Sequence, residues 1–170
     1  MRSAIITGRW WWADDRSAAP APLASGLHAV SNASLGTPWP KVRRLRQAMA
    51  AELDAADDAG SLTDRLFSAL ADRTQAHDDD LPDTGVGLER ERMLSPAFIT
   101  SGDGHYGTRC STVLVGERVA GGWRVMLSER SFDARGQAHT ERQVAVGLPL
   151  GGEASGTVGR SSPRPAVQVR

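Results

Sequence analysis

Apolar positions follow two periods along this chain. From Val42 to Leu70 they recur every three or four residues, and beyond residue 109 they form β-branched runs broken by glycine. Val42, Leu45, Met49 and Leu53 make one stripe, which predicts a helix. Thr37 is its expected cap, Pro38 its first residue and Gly60 its end. A second helix is expected from Ser61, with Asp64 completing a capping box and Leu62, Leu66, Phe67 and Leu70 facing inward. The runs 109–116 and 122–131 flank a glycine-containing turn and predict adjacent antiparallel strands. "ERQVAVGLP" adds another strand, and "LHAVSN" and "PAFITS" read as short ones. "AIITGRWWWADDR" is β-favouring, either one strand ending near Ala13 or two around Gly8. Three consecutive tryptophans put aromatic rings on both faces, so this strand is expected to be buried on both sides; the alternative is an exposed aromatic platform. "AHDDDLPDTGVGLERE" reads as a mobile polar loop. The tail 151–170, rich in Gly, Ser and Pro, reads as disordered. Residues 1–150 then form one α+β unit with antiparallel sheets and a helical pair at about 37–75.

Charge changes this picture little. Twenty basic residues balance twenty acidic ones, so no global field recruits nucleic acid or an anionic membrane. Lys41 is the only lysine. No stretch approaches the length of a membrane span, and the lone Cys110 cannot form an internal disulfide, which together place the chain in the cytoplasm.

Candidate chemistry is sparse. "KVRRLR" is basic, but "AELDAADD" follows and cancels it, so it reads as a solvated helix face. "HDDD" and the four histidines lack metal-ligand spacing. "SGDGHYG" leads into a strand, not a helix, and cradles no phosphate. Cys110 reads as a small packed thiol, and without C-x-x-C-H there is no covalent haem attachment. Two polar positions stand out: Asn32 at a chain corner and Arg109 at a strand start. Each has a plain structural alternative, a turn hydrogen bond for Asn32 and a rim salt bridge for Arg109.

"GLHAVSNASLGTPWPKV", with "YGTRCSTVLV" and "SERSFDARG", resembles the signature blocks of the NRDE family, the transport and Golgi organization protein 2 family, over residues 10 to 148. Members begin Met-Cys and carry an Asn-Arg-Asp-Glu motif, neither of which occurs here, so the chain is expected to be the C-terminal portion of the family domain, from a truncated or mis-started gene. The family is similar to N-terminal nucleophile hydrolases, which implies an αββα sandwich. By that resemblance Asn32, with Ser31, matches an oxyanion-donor corner, and Arg109, with Thr108, matches a strand start that lines the pocket. Asn32 and Arg109 are therefore expected to face one cleft. The resemblance also brings in haem mobilisation, without naming a haem ligand. Three readings follow: an acyl-transfer domain without its nucleophile, a carrier or chaperone for haem or another apolar metabolite, and a non-functional fragment. The first is expected to be inactive on amides as the chain stands. A domain lacking its first strands is also expected to expose sheet edges and to associate.

Overall fold

The structure, a computed structural model, describes residues 10–15, 19–149 and 159–160. The fold is α+β: three α-helices, a two-stranded sheet and a four-stranded antiparallel sheet. Strands β1 (Trp10–Trp12) and β2 (Ala21–Leu23) pair antiparallel. Trp11 is 56% exposed, which overturns burial on both faces, while the Trp12 indole donates to Asp14. Any strand before Trp10 lies outside the described residues.

The stretch "LHAVSN" is irregular chain leading into a turn at Leu35–Gly36, not a strand. Gly36 takes φ +76°, open to glycine without steric cost, and its N–H donates to the Ala29 carbonyl. The Thr37 hydroxyl donates to the Ser34 carbonyl and so is not a helix cap. Helix α1 (Pro40–Ala55) begins two residues later than its pattern predicts. The reason is the second proline: Trp39, preceding Pro40, is held extended at φ −62°, ψ 153°, and Pro40 takes the first helical position. The helix also stops early. Asp58 accepts the Ser61 N–H and caps helix α2 (Ala59–Leu70), so Gly60 lies inside α2 and the expected Ser61 cap is displaced by an aspartate.

Of the α1 stripe only Val42 is buried; Met49 and Leu53 reach solvent. In α2, Phe67 and Thr63 are buried. The segment read as a polar loop is ordered twice over. A 3-10 turn (Asp78–Asp80) is held by Asp78 to Arg92 and by Asp80 to Arg43, and helix α3 (Leu88–Leu94) follows.

The predicted hairpin is present. Strands β3 (Cys110–Val119) and β4 (Gly122–Phe132) pair antiparallel from Cys110 opposite Ser131 to Val119 opposite Gly122, and run longer than the pattern implies. Strand β5 (Ala138–Pro149) extends the sheet, and β6 (Gly159–Arg160) pairs with it at Val144 and Ala145. The remainder of the expected disordered tail lies outside the described residues. "PAFITS" contributes a single bridge, Thr100 opposite Gly107.

The two faces of this sheet differ. One packs on α2, with Val113 and Ser128 buried and Arg130 reaching across. The Arg130 guanidinium lies 4.0 Å from the Phe67 ring centroid and pairs with Asp64 and Glu141. The opposite face carries Leu114 opposite Leu127, Val125 opposite Val146 and Trp123 opposite Leu148. Leu114, Leu127 and Leu148 are exposed there, Leu114 at 59%. Cys110 opens β3 and is exposed, which corrects the packed-thiol reading: strand alternation puts it on the face of Leu114, opposite the one that packs on α2.

Aspartates fix several turns. The Asp133 carboxylate is held below its ordinary value of 3.8 by the Gln137 and Arg135 N–H groups, and Asp103 by the Ser101 hydroxyl and the His105 N–H. Asp78 is lowered by its hydrogen bonds from Arg92. Asp72 is also lowered: burial pushes it up, but hydrogen bonds from Thr74 and Arg44 prevail. For a lowered carboxylate the unfolded chain binds more protons, so the stabilisation is present above 3.8 and is lost as pH falls through the lower folded values. The melting temperature is expected to fall across that acid window, and less steeply in high salt because these groups are mostly exposed. A melting temperature flat with pH there would contradict this.

Candidate functional site

A cavity of about 110 Å³ opens where four segments meet: the corner at Asn32, the start of α1, the loop before α3 and the end of α3. Trp39, Pro40 and Lys41 form one wall; Pro82, Thr84, Glu91, Leu94 and Ser95 form the others. Its position follows from local sequence. The paired prolines hold Trp39 extended and start α1 abruptly, so Lys41 falls in the first turn of α1, beside the end of α3.

Lys41 is half-buried, and its ammonium donates to the Leu94 carbonyl at 2.8 Å. Burial lowers its pKa from 10.5, and the charge of Glu91 opposes that shift. Glu91 is only 7% exposed. Its Oε1 accepts from the Thr84 N–H at 2.7 Å and the Thr84 hydroxyl at 2.5 Å. Ser95 is committed to structure: its hydroxyl donates to the Arg92 carbonyl and accepts from the Ala76 N–H. The cleft thus sets a half-buried ammonium and a buried carboxylate around a small space.

Of the residues singled out in the sequence, Asn32 lines this cavity and Ser31, its neighbour in the chain, is not among the lining residues. Thr108 and Arg109 are not among its lining residues. Thr108 is built into the approach to β3: its N–H donates to the Ile99 carbonyl and its hydroxyl accepts from the Ile99 N–H. Arg109 is exposed, and its carbonyl accepts from the Phe132 N–H. The structure therefore brings Asn32 together with Lys41 and Glu91, and leaves Arg109 out of the cavity that Asn32 lines. Two signals for the missed residues were in the sequence. Lys41 is the only lysine and sits in the Pro-Trp-Pro-Lys block, and "LERERML" is made entirely of good helix formers.

A second depression of about 610 Å³, more open, is lined by the 100–105 loop with Ala134 and Arg135. Its one acidic group, Asp103, is engaged within its own loop. Among the described residues no cluster of three or more His, Cys, Asp or Glu is placed to hold a metal. No described helix is long and apolar enough to cross a membrane.

These features define an α+β domain with a charged cleft at the junction of its helices. The family model described as Transport and Golgi organisation 2 matches residues 5–134, from β1 through β4, and the chain belongs to that family. No match was found among curated proteins.

Proposed function

We propose that this family member binds a small polar ligand in the Asn32–Lys41–Glu91 cleft and does not turn it over. The observation that carries this reading is the pair of opposite charges, Lys41 and Glu91, held together around a cavity built partly from the family's signature block. A half-buried ammonium and a buried carboxylate beside an open space offer charge-assisted bonds to a polar ligand. The amide-hydrolase reading calls for a cysteine nucleophile, and the only cysteine of this sequence, Cys110, does not line the cleft. The lone cysteine also favours a cytoplasmic setting.

The test is a fragment screen by two-dimensional NMR. At least one small polar fragment is expected to shift the Trp39 and Lys41 resonances saturably, and Lys41→Met is expected to abolish the response. Lack of any such shift would remove the cleft reading. Release of product from an N-acyl substrate well above the buffer rate would overturn the absence of turnover.

The exposed leucines favour a second reading, a carrier of haem or another apolar metabolite. About 110 Å³ is far below the roughly 300–1,000 Å³ of a pocket for a drug-sized ligand, so a porphyrin does not enter the cleft. It would lie on the sheet face of Leu114, Leu127 and Leu148. A haemin titration followed by absorbance separates the two readings: the carrier reading requires saturable binding that Leu114→Glu weakens and Lys41→Met leaves intact.

A further inference from the structure

We propose that the ligand of this cleft is a small zwitterion of the α-amino-acid class, its carboxylate at the start of α1 beside Lys41 and its ammonium on Glu91. This rests on the cleft being a binding site at all, and goes further by fixing the charge pattern of the ligand.

The first support is the spare bonding capacity of the two charged groups. Lys41 and Glu91 interact through their charges, yet neither bonds the other: Lys41 is engaged with Leu94, and Glu91 with Thr84. An ammonium has three donors, and Lys41 uses one on the Leu94 carbonyl. Both Thr84 bonds go to Oε1 of Glu91, a residue that lines the cavity.

The second support is the amino end of α1. Trp39, the residue before the helix, provides no side-chain cap, and the bond from the Arg43 N–H to the Trp39 carbonyl closes the first turn. The Lys41 and Val42 N–H groups are therefore the orphan donors of the helix start. They carry the positive end of the helix dipole, and Trp39 and Pro40 place that end on the cleft wall. The Lys41 side chain carries its ammonium away from this helix start, to the last carbonyl of α3. Asn32, exposed, also lines the cleft and carries a side-chain amide.

The cleft is thus lined by the amino end of α1, the Lys41 ammonium and the Glu91 carboxylate. A simple anion would face the Glu91 carboxylate uncompensated, and a simple cation would face Lys41. A molecule carrying both charges satisfies both ends with charge-assisted bonds. The cavity volume of about 110 Å³ holds a few heavy atoms, which suits a small free amino acid and excludes a peptide.

The full chain is titrated with glycine, L-alanine and L-serine by NMR, and in parallel with N-acetylglycine and glycinamide, which lack the ammonium and the carboxylate respectively. The zwitterions are expected to shift Trp39 and Lys41 saturably, with both blocked forms at least tenfold weaker. Lys41→Met and Glu91→Gln are each expected to weaken glycine at least tenfold, while Cys110→Ser, outside the cleft, leaves it unchanged. Should Glu91→Gln fail to fold, the blocked ligands on the unmodified chain still decide the matter. Equal binding of a blocked form, or unchanged binding to Lys41→Met, overturns the proposal. If other fragments perturb Trp39 and no zwitterion does, the zwitterion is overturned and the cleft reading stands; if no fragment does, both fall.

Discussion

Replacing Phe98 by alanine is expected to destabilise the chain by about 3–5 kcal/mol, the range for a large buried aromatic truncated in a packed core. Phe98 is 2% exposed, one of four buried hydrophobic side chains among the described residues, with Val42, Phe67 and Val113. Its ring meets Phe132 edge to face at 4.7 Å, and the Arg73 guanidinium stacks 4.2 Å from its centroid. Its N–H donates to the Asp72 carbonyl just past the end of α2. One side chain therefore joins the helical pair to the end of β4. Removing the ring leaves a cavity there and takes the apolar partner from Arg73. With so few buried side chains, a loss of this size approaches the whole stability of a small domain. Urea denaturation followed by far-ultraviolet circular dichroism reads the effect; a loss below about 1 kcal/mol would show that this junction does not hold the layers together.

The parts legible in the sequence are those governed by one local rule. The β3–β4 hairpin obeys a two-residue period across a glycine turn, and both its strands and its pairing follow. Phe67 was visible as an inward position of α2 because the stripe around it repeats at helical spacing. Errors arise where two local rules compete. Thr37-Pro38 is a good helix start, but Pro40 lies downstream and holds Trp39 extended, so the later proline sets the boundary. Ala56 and Ala59 favour helix continuation, yet Asp58 caps a new one.

The cleft was harder to read because it is made by tertiary contact. Asn32 carries a motif and was visible; Glu91 was not, because its role depends on α3 folding back against the start of α1, fifty residues earlier in the chain. Nothing near residue 91 announces that its carboxylate is buried. Cys110 fails in the opposite sense. A cysteine in an apolar strand is usually packed, but Cys110 alternates onto the same open sheet face as Leu114.

Gly136→Ala is the second substitution expected to act strongly, by about 2–4 kcal/mol, combining left-handed backbone strain with overpacking. Gly136 closes the turn between β4 and β5, where its N–H donates to the Asp133 carbonyl and its φ is +70°. An added Cβ would lie 2.8 Å from Thr100 Cγ2, 2.9 Å from an Arg73 guanidinium nitrogen and 3.0 Å from Phe98 Cε1. The Arg73 nitrogen cannot simply withdraw, because it donates to the Gly136 carbonyl at 2.9 Å while its neighbour holds the Thr100 hydroxyl. Relieving the contact therefore shifts either the Phe98 ring or the whole turn. Gly121 supplies the control: its φ is +81°, but nothing lies within 4 Å of a Cβ there. Gly121→Ala meets the backbone strain alone, about 1–2 kcal/mol. The difference between the two variants, measured by urea denaturation in parallel, isolates the packing around Phe98. Equal losses would mean that the turn yields to the methyl group and that Phe98 is less tightly held than its contacts imply.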